Sequence, residues 1–191
     1  MKTSYVLLAP GFEETEAIGT VDVLRRAGIP VETVSVNEEP EVAGSHSITL
    51  RADKKLSEIK ESEALWLILP GGLPGATGLH DNPAVQHLLR KHKESDGHIA
   101  AICASPGLVL GQLGLLEGKQ ATCYPGFEKY CKGAKMLDQR VVVDGKLITA
   151  NGPSSTLVFA HAIVANTISL QAADKVMNDM LLYPGQDKYY F

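Results

Sequence analysis

Leu65-Trp-Leu-Ile-Leu69, followed at once by Pro70-Gly71-Gly72, is an unbroken apolar run that stops on a turn signal. A run of this kind, without polar alternation, is expected of a central strand buried on both faces. The same form appears at Tyr5-Val-Leu-Leu-Ala9, which enters Pro10-Gly11, and at Ile99 to Ile102, which enters Cys103. Helical periodicity lies between these runs. Ala17, Ile18, Val21, Leu24 and Ala27 recur at helical spacing before Gly28-Ile29-Pro30, and Pro83 to Lys93 turns Val85, Leu88 and Leu89 inward. Strands alternating with helices at this spacing predict a mostly parallel α/β sheet flanked by helices.

The outer parts fit the same plan. Val31, Val34 and Val36 predict a second strand, Ser47 to Leu50 a third, and Pro106 to Leu113 a helix after Cys103. Val141 to Thr149 reads as a hairpin turning on Asp144-Gly145 in a type I′ turn. Helices are expected over Ser154 to Ser169 and Ala172 to Leu182. No repeat, low-complexity tract or linker interrupts the 191 residues, so one domain over 1–191 is expected.

Composition excludes several classes of function. With 18 Lys+Arg against 22 Asp+Glu the net charge is −4, which argues against an electrostatic nucleic-acid binder. Ile99 to Leu116 carries no charge, but Pro106, Gln112 and three glycines break it, so no membrane span is expected. The three cysteines, Cys103, Cys123 and Cys131, form no CxxC pair and no zinc spacing. A sparse, odd set fits a reducing cytoplasm, and the first residues lack a secretory leader.

In an open parallel sheet, chemistry gathers at the carboxyl ends of strands. Ala101-Ile102-Cys103-Ala104-Ser105 has small residues two places either side of a nucleophile, as a tight strand-to-helix elbow requires. The helix N-terminus that follows would favour a thiolate. A buried apolar cysteine ending a strand would give the same pattern, and the residues alone leave both readings open. Gly71 and Gly72 either form a plain βα turn or offer N–H groups that join that of Ala104 on a substrate carbonyl. Gly-Gly-Leu-Pro-Gly-Ala-Thr-Gly lacks the residues of a phosphate loop.

Glu13, Glu14 and Glu16 follow the first strand, where acids normally complement the helix dipole. Because Glu16 cannot share a helix face with both others, one of the three is expected to point inward with a raised pKa. The histidines show no metal spacing. His87 and His92 read as surface residues, and His161 as a satisfied interior or interface residue. Cys123 and Cys131 read as structural thiols on a strand end and in the turn after it. No metal is expected.

Taken together, Leu8 to Ala17, Asp22 to Gly28, Leu69 to Gly72, Ala100 to Pro106 and Asn151-Gly-Pro153 make the chain similar to the ThiJ/PfpI superfamily, in its DJ-one branch. The resemblance spans nearly the whole chain and implies a flavodoxin-like three-layer sandwich that forms homodimers without a cofactor. It places the reactive cysteine on Cys103, a protonated acid on Glu16 and oxyanion-type backbone groups on Gly72 and Ala104. The implied activities are conversion of methylglyoxal to lactate and deglycation. Oxidative-stress sensing and chaperoning are also implied, as is a label once given to relatives, thiamine biosynthesis. Peptidase-like members carry a His where this chain has Ala104, which argues against an amidase or peptidase. Where some members place a His near the cysteine, Thr122-Cys123-Tyr124-Pro125 supplies Tyr124. An Arg near the family's dimer boundary falls on His46. The expected partners are a small carbonyl substrate or a glycated protein, and a second copy of the chain.

Overall fold

The computed structural model describes residues 1–60 and 64–182. Its strands, in chain order, are β1 (Thr3–Leu8), β2 (Val31–Ser35), β3 (Glu41–Ala43), β4 (Thr49–Arg51), β5 (Lys54–Lys55) and β6 (Ala64–Leu69). They continue with β7 (His98–Ile102), β8 (Gln120–Ala121), β9 (Lys135–Met136), β10 (Val141–Asp144) and β11 (Leu147–Ala150). The helices are α1 (Glu14–Arg26), α2 (Gly75–Asp81), α3 (Pro83–Glu94), α4 (Thr156–Thr167) and α5 (Leu170–Asp179).

The main sheet has the order β10-β11-β7-β6-β1-β2-β5. Every pair in it is parallel except the β10–β11 hairpin. Alternation along the central strands explains the three layers. Val6 and Leu8, Trp66 and Ile68, and Ala100 and Ile102 face one core with Leu24, Phe159 and Ile163 of α1 and α4. Tyr5 and Leu7, Leu67 and Leu69, and Ile99 and Ala101 face the other core with Leu79, Val85 and Leu89 of α2 and α3. Both faces of each strand are therefore buried, which is why these runs show no polar alternation.

Several details depart from the expectation. Ser47 to Leu50 does not join the main sheet; β4 pairs antiparallel with β3 as a separate two-stranded flap. The hairpin turns on Gly145-Lys146, because Asp144 still pairs with Leu147. Positive φ at Gly145 but not at Lys146 is the pattern of a type II′ turn, not type I′. Asp144 is occupied instead in accepting from the Gln120 N–H at 2.8 Å. The segment after Cys103 is a π-helix over Pro106–Gly111. The long helix begins at Thr156, after a short 3₁₀ turn at Pro153–Ser155. His92 is buried, not on the surface: it packs against Gly97 and its Nε2 lies 3.0 Å from the His98 carbonyl. Among the described residues, no helix is long and apolar enough to cross a membrane.

Candidate active site

Strands β7, β6 and β1 are adjacent and parallel, so their carboxyl ends leave the sheet on one edge. The loops that follow are stitched together. The Glu13 N–H donates to the Gly71 carbonyl at 3.0 Å, and the Gly75 N–H to that of Gly11 at 3.2 Å. Ser105, one step beyond the elbow, donates its hydroxyl to the Pro70 carbonyl at 2.5 Å and so ties the third loop to the second. Sequence reasoning gave Ser105 only the role of a small residue. Its burial beside the Pro70 carbonyl was not visible without the register of β6 against β7.

Cys103 sits in the left-handed region at φ 65°. A non-glycine residue there is strained by roughly 1–3 kcal/mol and persists only where its surroundings hold it. Its N–H donates to the Ala150 carbonyl at 2.9 Å, while its own carbonyl accepts from the Tyr124 N–H at 2.8 Å. The effect is to turn the thiol out of the strand line and toward Glu16. Gly71 leaves room for this. A Cβ at that position would stand 2.6 Å from the Cys103 Cβ, 2.9 Å from Glu16 Oε2 and 3.0 Å from Cys103 Sγ.

Glu16 is the inward acid, 1% exposed at the start of α1. Its Oε2 accepts the Gly71 N–H at 2.7 Å, whereas Oε1 is buried without a hydrogen-bond partner at ordinary distances. Burial pushes its pKa up to about 7; the Gly71 N–H opposes this, the Glu13 charge adds to it, and a hydrogen bond with Cys103 opposes it. The Cys103 thiol is pushed up to about 12, by burial first and then by the Glu16 charge and hydrogen bond. The backbone N–H groups of Gly72 and Ala104 act in the other direction, as donors to the sulfur. These N–H donors are therefore present but outweighed.

The other two acids are also buried but spent on local structure. Glu13 is the N-cap of α1, accepting from the Glu16 N–H at 2.7 Å. Glu14 turns to the β3–β4 flap, where it accepts from the His46 N–H at 2.7 Å and lies 2.9 Å from His46 Nδ1. Burial would raise the Glu14 pKa, but these bonds from His46 outweigh it and bring it to about 2. One ligand atom each from Glu13, Glu14 and His46 lies within 4.8 Å of the others, a grouping hidden from the sequence by the separation of the flap from α1. His46 and the cap bonds account for it.

Tyr124 reaches the site through its backbone bond to Cys103; the residue is 45% exposed, and its ring edge lies beside Gly152. Cys123 and Cys131 are buried in the core on the other face of the sheet, where Cys131 Sγ donates to the Phe127 carbonyl at 3.9 Å. His161 is half-buried on α4, with Nε2 2.8 Å from the exposed Asp174 of α5.

An α/β sandwich with a strained cysteine on a strand-to-helix elbow beside a buried acid defines the class of protein. The model of the DJ-1/PfpI family matches residues 2–166, and the chain belongs to that family, in its DJ-1 branch. It is 38% identical over 191 residues to protein DJ-1 homolog B of Arabidopsis thaliana, covering 99% of this chain but 43% of that protein. The chain thus spans less than half the length of that plant relative. It is 32% identical to the glutathione-independent glyoxalase DJR-1.2 of Caenorhabditis elegans, over 95% of this chain and 97% of that one. A mutant of a DJ-1 superfamily protein from Salmonella typhimurium superimposes with a TM-score of 0.92 at 36% identity, covering 96% of this chain and all of that one.

Proposed function

We propose that the chain is a cysteine-dependent glyoxalase or deglycase acting on small dicarbonyls of the methylglyoxal type, or on the glycated groups they form. The contact of Glu16 with Cys103, flanked by the Gly72 and Ala104 N–H groups, carries this reading. The similarity to a nematode glyoxalase supports it.

With the thiol pushed up to about 12 and Glu16 to about 7, the resting pair at neutral pH is a thiol beside a partly ionised carboxyl. Addition to an aldehyde then couples S–C bond formation to transfer of the thiol proton to Glu16. The new alkoxide lies where the Gly72 and Ala104 N–H groups can stabilise it. Once the alkoxide has taken that proton back, Glu16 removes the hydrogen of the former aldehyde carbon and returns it to the adjacent carbonyl carbon, while the new hydroxyl gives its proton to that carbonyl's oxygen. This leaves a 2-hydroxyacyl thioester. Water breaks the C–S bond, releasing a 2-hydroxy acid and the thiol, with one water consumed overall. A carboxyl near neutrality suits both directions of transfer.

The test is lactate formation from methylglyoxal by the full chain, with Cys103→Ala and Glu16→Ala alongside. Lactate from the parent and none from either variant is the expected result. Lactate no higher than in buffer would overturn the reading.

A second reading is favoured by the same two N–H groups at the sulfur, which would equally hold the oxygens of an oxidised Cys103. In that case mild peroxide adds two oxygens to Cys103 and none to Cys123 or Cys131, as read by mass spectrometry. Two copies of the chain are proposed to pair, a proposal supported by the exposed Ile18, Ile168, Leu170 and Leu181 and tested by light scattering.

A further inference from the structure

Ser105 stands directly before Pro106 at the start of the π-helix, where a serine hydroxyl ordinarily caps the helix end. It makes no cap bond there. The hydroxyl is buried and turns to the neighbouring loop, donating to the Pro70 carbonyl at 2.5 Å. That carbonyl and the Gly71 N–H belong to one peptide group, and the Gly71 N–H donates to Glu16 Oε2 at 2.7 Å. The peptide is trans, so the two bonds leave it on opposite sides. Hydroxyl, peptide and carboxyl are thus joined in series, and Ser105, Pro70, Gly71 and Glu16 are all buried. The series begins two residues beyond Cys103 and ends on the acid that Cys103 faces.

We propose that Ser105 is a positioning residue for Glu16, acting through the Pro70–Gly71 peptide. The inference rests on the reading of Glu16 as the proton carrier for Cys103. A donor on the Pro70 carbonyl polarises the peptide and makes its N–H the stronger donor, by about 10–30% per bond in series. The strengthened N–H favours the carboxylate, which is the form of Glu16 that takes the thiol proton. The same bond fixes the plane of the peptide, and with it the direction in which the Gly71 N–H points at Oε2. The titratable groups that act on Glu16 are Glu13, from the start of its own helix, and the Cys103 thiol across the site. Ser105→Ala alters neither side chain and adds or removes no charge, so a change in Glu16 reports on the peptide between them.

The test is an NMR titration of the full chain from pH 5 to pH 9, read at the Glu16 carboxyl carbon, the Gly71 amide and the Pro70 carbonyl carbon. In the unsubstituted chain all three should shift together with one midpoint near 7. In Glu16→Gln the Gly71 and Pro70 signals should be flat across this range. In Ser105→Ala the Glu16 midpoint should rise by roughly 0.2–0.6 of a unit, because the weakened N–H favours the carboxylate less. A Pro70 carbonyl that stays flat in the unsubstituted chain would overturn the proposal, and that measurement needs no variant to fold. An unchanged or lowered midpoint in Ser105→Ala would do the same, as would a Pro70 titration that survives in Glu16→Gln. None of these signals needs turnover of a dicarbonyl. A chain that makes no lactate can still show them, and a chain that makes lactate can still lack them.

Discussion

The backbone N–H of Gly71 donates to Oε2 of Glu16 at 2.7 Å, across the gap between the second and first strand-end loops. This bond favours the ionised carboxyl, yet burial outweighs it and leaves Glu16 near 7. The bond orients the acid and the burial sets its proton affinity.

That balance has a consequence for stability. A carboxyl raised from 4.5 to about 7 on folding holds its proton more tightly in the native chain than in the unfolded one. Its contribution is complete below 4.5 and is lost as pH rises through about 7, an effect of about 3 kcal/mol at roughly 1.4 kcal/mol per unit. Glu16→Gln cannot ionise and keeps an acceptor for Gly71. Its stability relative to the parent should rise between pH 5 and pH 8, measured by urea unfolding. Parallel profiles for the two proteins would show that Glu16 does not titrate in this range.

Gly71→Ala should be far more damaging than Gly28→Ala. At Gly71 the added methyl meets both reacting side chains, with Cβ to Cβ at 2.6 Å. Crowding of this kind costs about 1–3 kcal/mol, and displacement of the pair should lower kcat/KM by about a hundredfold. At Gly28 the φ of +73° meets open space, so only backbone strain of about 1 kcal/mol is expected, with activity unchanged. Melting temperature and lactate assay on both variants separate the two effects. Equal activity losses would mean that the space at Gly71 is not what aligns Glu16 and Cys103.

The central strands and the convergence of three loops were legible because burial on both faces removes the polar alternation from β1, β6 and β7. The elbow was legible through its small residues. What stayed hidden depended on partners distant in sequence. Lys54–Lys55 pairs with β2 on only two residues, too short to carry a pattern. The β3–β4 flap is recognisable only once Glu14 is seen to reach His46. His92 carries a polar side chain at a position whose burial is decided by the Gly97 turn beneath it. Local pattern also cannot weigh opposing effects: the Gly72 and Ala104 N–H groups were visible in sequence, the extent of burial and the Glu16 charge that overcome them at Cys103 were not.

The Glu14–His46 pair should make the flap pH-sensitive. Glu14, lowered to about 2, contributes stability that is present above 4.5 and lost as pH falls toward 2. His46 is raised chiefly by its hydrogen bond to Glu14, so its contribution is full below 6.5 and is lost as pH rises through its higher folded value. Between about 4.5 and 6.5 both are in place. An NMR titration should find the His46 imidazole above its ordinary midpoint, and Glu14→Gln should bring that midpoint down. A midpoint that does not move would mean that Glu13, 4.0 Å away, or another charge holds the imidazole.

Tyr124 is joined to Cys103 through its backbone N–H, and a phenol and an imidazole at this position would differ in the proton chemistry they allow. A phenol hydroxyl offers a hydrogen bond, whereas an imidazole has a ring nitrogen that can take up a proton. Glu16 is then the one base in reach of the Cys103 thiol among the described residues, and kcat/KM should rise with pH on a single limb near 7. Tyr124→His adds an imidazole on the same backbone bond to Cys103, and should add a second limb near about 6.5. Tyr124→Phe keeps the ring beside Gly152 and should hold kcat within about threefold, well under the tenfold that 1.4 kcal/mol represents. Lactate production across pH 5 to 9 by the three proteins decides the matter. Loss of activity in Tyr124→Phe would mean that the phenol hydroxyl itself carries a proton in the reaction, and Glu16 would no longer suffice as its sole carrier.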